Sequence, residues 1–273
     1  MAVRSALIHV MAAAALKAAR GIIRDFGEVE QLQVSVKGPG DFVSNADLKS
    51  ERILKTELAR ARPGYGFLME EGGETPGDGH NRWIVDPLDG TTNFLHGLPF
   101  FAISIALERD GELVAGVIYE PIRDEMFWTE KGAGTFVNDR RLRVSARRRL
   151  AEAVLATGMP FRDHGDHSAY LATLAPVMAA TSGVRRFGVA SLDLAYVAAG
   201  RFDGFWEFGL KPWDIAAGLL MVREAGGYAT DFSGAHGLPE SGDVLAANDH
   251  LHPQLVALMA DALHGAVVES QPK

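Results

Sequence analysis

The stretch from Phe100 to Val144 restricts the architecture more than any other part of the chain. The segments Phe101–Glu108, Leu113–Glu120, Glu125–Glu130 and Gly134–Asn138 follow one another at short intervals, with Asp110-Gly111 as a tight turn between the first two. Short β-branched and aromatic runs broken by turn residues predict an antiparallel meander. Beyond the arginine-rich Arg140–Arg149 the pattern changes. Val154–Thr157 and Asp203–Glu207 read as strands, alternating with helical stretches at Ala169–Ala180, Leu192–Ala199, Ile215–Ala225 and Leu255–Leu263. The expectation is a mixed α/β (α+β) chain with a subdomain boundary near Ser145, residues 1–145 forming an α+β part and 146–273 an α/β part.

Composition narrows the chemistry. Without a single cysteine the chain has no disulfide framework, no thiolate-held zinc, no iron–sulfur cluster and no thiol nucleophile, which leaves oxygen and nitrogen chemistry. A hydrophobic share of 47% with 23% charged residues is that of a globular chain able to bury a large core, not of a disordered one. The formal net charge of −8 argues against nucleic acid wrapped along the whole surface and leaves room only for a local basic patch.

The N-terminal Ser5–Phe26 is rich in Ala, Leu and Ile, but His9, Lys17, Arg20 and Arg24 interrupt it, so it reads as the helix of a soluble protein rather than a membrane span. The apolar block Val10–Leu16 runs directly into Lys17, unlike the apolar segment of a secretory signal, and a cytoplasmic location is expected. Val34–Ser44 contains Lys37-Gly38-Pro39-Gly40, turn chemistry that predicts a mobile loop, and a helix is expected from about Ala46 to Arg60. Phe67–Met69 then reads as a short strand ending at Glu70-Glu71, and Arg82–Val85 as a buried strand emptying into Asp86-Pro87-Leu88-Asp89-Gly90-Thr91-Thr92. Both strands end at acids, where α/β scaffolds build sites.

Asp86 and Asp89, with the Leu88 carbonyl between them, form an oxygen-only donor set of the kind that hard cations such as Mg²⁺ prefer. Gly90, Thr91 and Thr92 bring backbone N–H groups to the same place, an anion site if a helix starts there. Turn formation and capping are the plain alternatives for these acids. A second cluster, Trp213-Asp214-Ile215-Ala216-Ala217-Gly218, opens a small-residue helix ending at Ala225-Gly226-Gly227, where Asp214 reads equally well as an N-cap. Ser44-Asn45-Ala46-Asp47 fits a capping box, so Asp47 stands between cap and catalytic water partner.

Taken together, Trp83 through Phe94 and Trp213-Asp214 through Gly226-Gly227 resemble the two signatures of the inositol monophosphatase family of Mg²⁺-dependent, lithium-sensitive phosphatases, in its bacterial branch. Asp41–Glu51, Phe67–Glu71, Gly132–Ser145 and Phe187–Glu207 resemble further family segments in the same order. The resemblance implies a layered αβαβα sandwich of the sugar-phosphatase type, a homodimer, and two to three Mg²⁺ ions per subunit. It implies that Glu70, Asp86 and the Leu88 carbonyl hold a first ion, that Asp86, Asp89 and Asp214 hold a second, and that Glu70 helps hold a weaker third through water. Thr91 and Asp47 would activate the attacking water, the Gly90 and Thr91 amides would bind phosphate oxygens, and Glu207 with the Ala190 region would contact the alcohol. The implied activity is hydrolysis of myo-inositol monophosphate. The same core serves relatives acting on fructose 1,6-bisphosphate, histidinol phosphate or 3′-phosphoadenosine 5′-phosphate.

Other features point less sharply. Lys37 matches a family lysine near the site but also reads as an exposed loop residue. Asp163-His164-Gly165-Asp166-His167 reads as a solvated tract with a minor claim to substrate or metal, Thr157–Phe161 as a strand exit lining the substrate rim, and Arg185 and Arg186 as pairing with acids or reaching substrate. The six arginines within Arg140–Arg149 read as a solvated strand end and linker, with RNA as the sharper alternative partner.

Overall fold

Period-two alternation along the central strands sorts side chains onto two faces, and that sorting builds the layers. The computed structural model describes residues 4–28, 34–38, 41–161 and 165–269. Its first half runs α1 (Ala6–Phe26), β1 (Val34–Gly38), β2 (Asp41–Ser44), α2 (Asn45–Ala61), β3 (Gly66–Met69), β4 (Gly73–Thr75), β5 (Asn81–Asp89) and α3 (Thr91–Leu95). The meander follows as β6 (Ala102–Arg109), β7 (Glu112–Glu120), β8 (Glu125–Glu130), β9 (Gly134–Val137) and β10 (Arg140–Arg141). These strands make an eight-stranded sheet in the order β10-β9-β8-β7-β6-β5-β3-β4, antiparallel except where β3 lies parallel to β5. The second half comprises β11 (Val154–Thr157), α4 (His167–Ala180), β12 (Gly183–Arg185), α5 (Ala190–Ala198), β13 (Gly204–Glu207), α6 (Pro212–Glu224), β14 (Tyr228–Thr230), β15 (Val244–Ala247) and α7 (His252–Glu269). Its five-stranded sheet has the order β12-β11-β13-β15-β14.

Trp83, Val85, Ile103, Ile105, Val117 and Trp128 pack with α1 and α2 on one face of the large sheet. Ile84, Ala106, Ile118 and Phe127 take the opposite face and meet α5 and α6. Those two helices lie between the sheets, which is why Ile215 through Val222 are buried without a polar stripe. On the far side of the small sheet, Tyr170 and Val177 of α4 join Leu255 and Met259 of α7 against Leu155, Trp206 and Leu245. The result is the expected αβαβα sandwich.

Four sequence expectations change. The stretch taken as a loop is an antiparallel hairpin, with Val34 facing Ser44 and Val36 facing Phe42; Pro39 and Gly40 and the Lys37 side chain lie outside what is described. β5 does not stop at Val85 but continues to Asp89 through a bulge, Asp86 facing Ser104 and Asp89 facing Ala102. Pro87 sits in that bulge, where no ladder donor is needed. Asp214 is not the N-cap of α6; that position is Lys211, whose amide donates to Asp214 Oδ2 at 2.7 Å. Finally, α1 has an 18-residue window of mean hydropathy 1.5, long and apolar enough to cross a membrane despite its charges. In the fold its Ile8, Met11, Ala15, Ala18 and Ile22 are buried against α2 and the large sheet, and Lys17 pairs with Glu57 of α2 at 2.7 Å.

Candidate active site

Parallel pairing of β3 and β5 places Met69 beside Val85, so the next residues, Glu70 and Asp86, emerge at the same sheet edge. The Glu70 amide donates to the Val85 carbonyl at 3.3 Å. Within the bulge, Asp86 Oδ1 accepts from the Leu88 amide at 2.9 Å, and the Pro87 carbonyl accepts from Ser50 Oγ at 2.8 Å. Gly90 follows in the left-handed region with φ 94°; a Cβ there would lie 2.8 Å from Val189 Cγ2 and 3.2 Å from the Phe100 carbonyl. Only glycine lets the chain turn from β5 into α3 at this spot.

Asp47 is fully buried at the third position of α2 and does both things the sequence left open. Its Oδ2 accepts from the Ser44 amide at 2.9 Å and from the Ser44 hydroxyl, completing a capping box, while its Oδ1 accepts from Thr91 Oγ1 at 2.8 Å. The Thr91 hydroxyl also lies 3.1 Å from the Leu88 carbonyl. One carboxylate thus fixes the helix start and reaches the cleft through a hydroxyl.

The second half of the chain closes the cleft. The Ser191 amide, in the first turn of α5, donates to Asp89 Oδ2 at 2.8 Å across the two sheets' boundary. Asp214 projects from the first turn of α6 and Glu207 from the end of β13. A cavity of about 210 Å³ is lined by Glu70, Asp86, Leu88, Asp89, Gly90, Thr91, Ala190, Glu207 and Asp214. Every site residue expected from sequence lines it except Asp47, which stands behind Thr91. A neighbouring hollow of about 390 Å³ shares Met159, Phe161, Glu207, Leu210 and Asp214 and extends past Gly158, Tyr170 and Lys211.

Electrostatics set these acids apart. Burial, then repulsion from Glu70, Asp89 and Asp214, lifts the Asp86 carboxyl well above the usual range. Asp214 is lifted similarly by burial and by Asp89, against the help of the Lys211 amide. Burial pushes Asp89 up to about 6 despite Ser191, and burial with Asp89 repulsion pushes Glu207 up to about 8 against the pull of Arg186. Asp86 is closed off, whereas Asp89, Asp214 and Glu207 keep an edge open to the cleft. Crowded acids of this kind gain most from a divalent cation, and an all-oxygen set of three aspartates, Glu70 and a carbonyl suits a hard one. Among the described residues, no three acidic or imidazole side chains already stand in coordinating geometry. The donor chemistry fits the ion, while the cage is not pre-closed.

Several undecided residues find places. Met159, Phe161 and Arg186 line the cleft, whereas the exposed Arg185 donates to the Val184 carbonyl. Asp166 is the N-cap of α4, accepting from the Ser168 and Ala169 amides, and His167 opens that helix; Asp163 and His164 lie outside the described residues. In the arginine stretch, Arg147 pairs with buried Asp203 at 3.0 Å, Arg149 pairs with Glu152, and Arg141 lies over the Phe136 ring. Sequence reasoning passed over Asn93, whose amide joins the Phe100 and Phe187 carbonyls at 2.9 and 2.8 Å, and the buried Asp193. An isolated polar residue inside an apolar helix was the available signal for Asp193.

An αβαβα sandwich with an acidic cleft where its two halves meet is the architecture of the sugar phosphatases. Residues 4–264 match the inositol monophosphatase family, and the chain belongs to that family. It is 60% identical over 254 residues to the inositol-1-monophosphatase of Mesorhizobium japonicum, covering 93% of this chain and 96% of that one. It is 44% identical to the Nus factor SuhB of Pseudomonas aeruginosa, covering 89% and 91% of the two. Among solved structures, the extragenic suppressor protein suhB of Bartonella henselae superposes with a TM-score of 0.91 at 59% identity, over 93% of this chain and 98% of that one.

Proposed function

We propose that the protein hydrolyses myo-inositol monophosphate to myo-inositol and phosphate by in-line attack of water, with two to three Mg²⁺ ions per subunit. The observation that carries this reading is the convergence of Glu70, Asp86, Asp89 and Asp214 beside the Asp47–Thr91 hydrogen bond. Glu70, Asp86 and the Leu88 carbonyl would hold one ion and Asp86, Asp89 and Asp214 another, with Glu70 contributing to a third through water. When bound, such ions lower the pKa of a water, neutralise the phosphoryl oxygens and stabilise the departing alkoxide. Thr91 Oγ1 donates its proton to Asp47 Oδ1 and presents a lone pair that orients the attacking water; as the water's proton passes to Thr91 Oγ1, the hydroxyl's own proton passes on to the Asp47 carboxylate. The Gly90 and Thr91 amides bind phosphate oxygens, and Ala190 and Glu207 line the side where the alcohol leaves. The relatives named inositol-1-monophosphatase support the substrate.

The reading extends to lithium inhibition, a cytoplasmic location, a homodimer, and subdomains meeting near Ser145, in the linker between the two sheets. A second role through Arg140–Arg149, with an anionic partner such as RNA, draws on the relatives named Nus factor SuhB. Arg147 to Arg149 line a shallow groove there, although two of the six arginines are paired with the protein's own acids. Assay of inositol monophosphate, fructose 1,6-bisphosphate, histidinol phosphate and 3′-phosphoadenosine 5′-phosphate with Mg²⁺ tests the main reading. The highest kcat/KM is expected for inositol monophosphate, and hydrolysis of none of the four contradicts the enzymatic assignment.

A further inference from the structure

The turn that follows β5 is tied to the second half of the chain at two points. Asn93, buried in α3, lies four residues after Asp89, across the Gly90-Thr91-Thr92 turn. Its Nδ2 donates to the Phe100 carbonyl at 2.9 Å and to the Phe187 carbonyl at 2.8 Å. Carbonyls have no proton to give, so the amide nitrogen must face both, and each of its two hydrogens is used. Phe100 and Phe187 also pack their rings together, with centroids 4.6 Å apart. The second tie is the Ser191 amide, which donates to Asp89 Oδ2 at 2.8 Å. Residues 186–191 thus form a strap that leads from β12 into α5. Within it, Gly188 takes the left-handed conformation with φ 75°, and the Arg186 guanidinium lies over it, where a Cβ would meet Nη1 at 2.6 Å. Val189 is pressed on Gly90, as the 2.8 Å approach of its Cγ2 to a Cβ there shows. From this strap Arg186, Gly188 and Ala190 line the cleft.

We propose that Asn93 is a positioning residue for the choice of alcohol: by holding the Phe187 carbonyl it fixes the strap, and with it Arg186, Gly188 and Ala190, at a set separation from the Gly90-Thr91 turn. That separation is the room left for the leaving group once the phosphate is seated. The Ser191 tie secures the end of the strap that enters α5, and the Asn93 tie secures the end that comes from β12. A buried amide that spends both hydrogens on carbonyls of the two halves is costly to remove, because both acceptors lose their donor. A displacement of about 1 Å in a wall that orients a substrate is enough to change its use severalfold or more. The inference rests on the proposed binding of a polyol phosphate, because it concerns how the enzyme selects its alcohol rather than how it cleaves the phosphate.

The test compares inositol monophosphate with phenyl phosphate, an ester without alcohol hydroxyls, in the wild type and in Asn93→Leu, which removes both donors at similar volume. The ratio of kcat/KM for inositol monophosphate to that for phenyl phosphate is expected to fall about tenfold in Asn93→Leu, the worth of one to two hydrogen bonds. Hydrogen exchange reads the strap directly. Peptides covering residues 186–191 are expected to exchange about fivefold faster or more in the variant, while those of β7 and β8 exchange as in the wild type. If Asn93→Leu does not fold, Asn93→Ala carries the same comparisons. Equal losses on both esters, unchanged exchange in the strap, or exchange accelerated throughout the chain overturn the proposal. The wild type separates the two failures: no preference for inositol monophosphate there overturns the substrate reading along with this one, whereas a wild-type preference that survives in Asn93→Leu overturns this one alone.

Discussion

The two sides of the cleft are built on different principles. On the phosphate side, Asp47, Asp86 and Asp89 each accept at least one backbone or side-chain hydrogen bond, and their carriers are a strand bulge and the start of α2. On the alcohol side, Met159, Phe161 and Leu210 supply apolar wall, and Glu207 and Asp214 are the acids that face the hollow beyond. The first side is specified by many local constraints at once, the second by a few long-range ones. The same chemistry can therefore accompany different alcohols, because the side that reads phosphate is rigid and the side that reads the leaving group rests on a handful of contacts.

Substitutions should break this comparison in order of size. Asp89→Asn keeps the shape of a proposed ligand and removes its charge, so steady-state kcat for every substrate should fall by about a thousandfold or more. Thr91→Val, which deletes the hydroxyl between Asp47 and the cleft, should cost about a hundredfold in kcat with little change in KM, the mark of a lost general-base relay. Glu207→Gln should act on the other side alone, reducing kcat/KM for inositol monophosphate about tenfold more than for phenyl phosphate. Gly90→Ala should lower stability by about 1–3 kcal/mol, from its positive φ and the crowding at Val189, and this is measured by urea unfolding.

A pH experiment sharpens the electrostatic half of the comparison. The folded-state pKa values of Asp86, Asp89, Asp214 and Glu207 are raised, so the metal-free protein binds more protons than its unfolded chain between about pH 4 and the folded values, about 6 for Asp89 and about 8 for Glu207. Their favourable contribution is complete below the unfolded pKa and disappears as pH rises through the folded values. Thermal unfolding in chelator should therefore show a declining Tm from pH 5 to 8.5, and added Mg²⁺ should restore more stability at pH 8 than at pH 5. A metal-free Tm that rises across that interval contradicts the assignment of these shifts.

Much of this was readable from local chemistry. The meander announced itself through turn residues and alternation, and β8 and β11 fall at their expected ends because Glu125–Glu130 and Val154–Thr157 are bounded by clear breaks. The acids of the phosphate side cluster within short motifs, so their convergence needed little long-range knowledge. Strands β12, β14 and β15 left no usable period, being three or four residues long and defined by pairing partners remote in sequence. The continuation of β5 through Pro87 was hidden because a proline reads as a strand end unless a bulge receives it. Asp214 looked like a cap since an acid at the third helical position, three residues after the cap, also binds a backbone amide at the helix start. Asp193 was missed for a different reason: its burial is produced by the two sheets that enclose α5 only in the folded chain.

The central claim is that Glu70, Asp86, Asp89 and Asp214 together hold the divalent ions on which phosphate hydrolysis depends. Anomalous scattering from crystals of the protein soaked with Mn²⁺ in place of Mg²⁺ tests it most directly. Two or three peaks among these four carboxylates and the Leu88 carbonyl are expected, with those shared by Asp89 lost in Asp89→Asn. Mn²⁺ bound elsewhere, or an empty cleft in a crystal form of the active enzyme, would contradict the account.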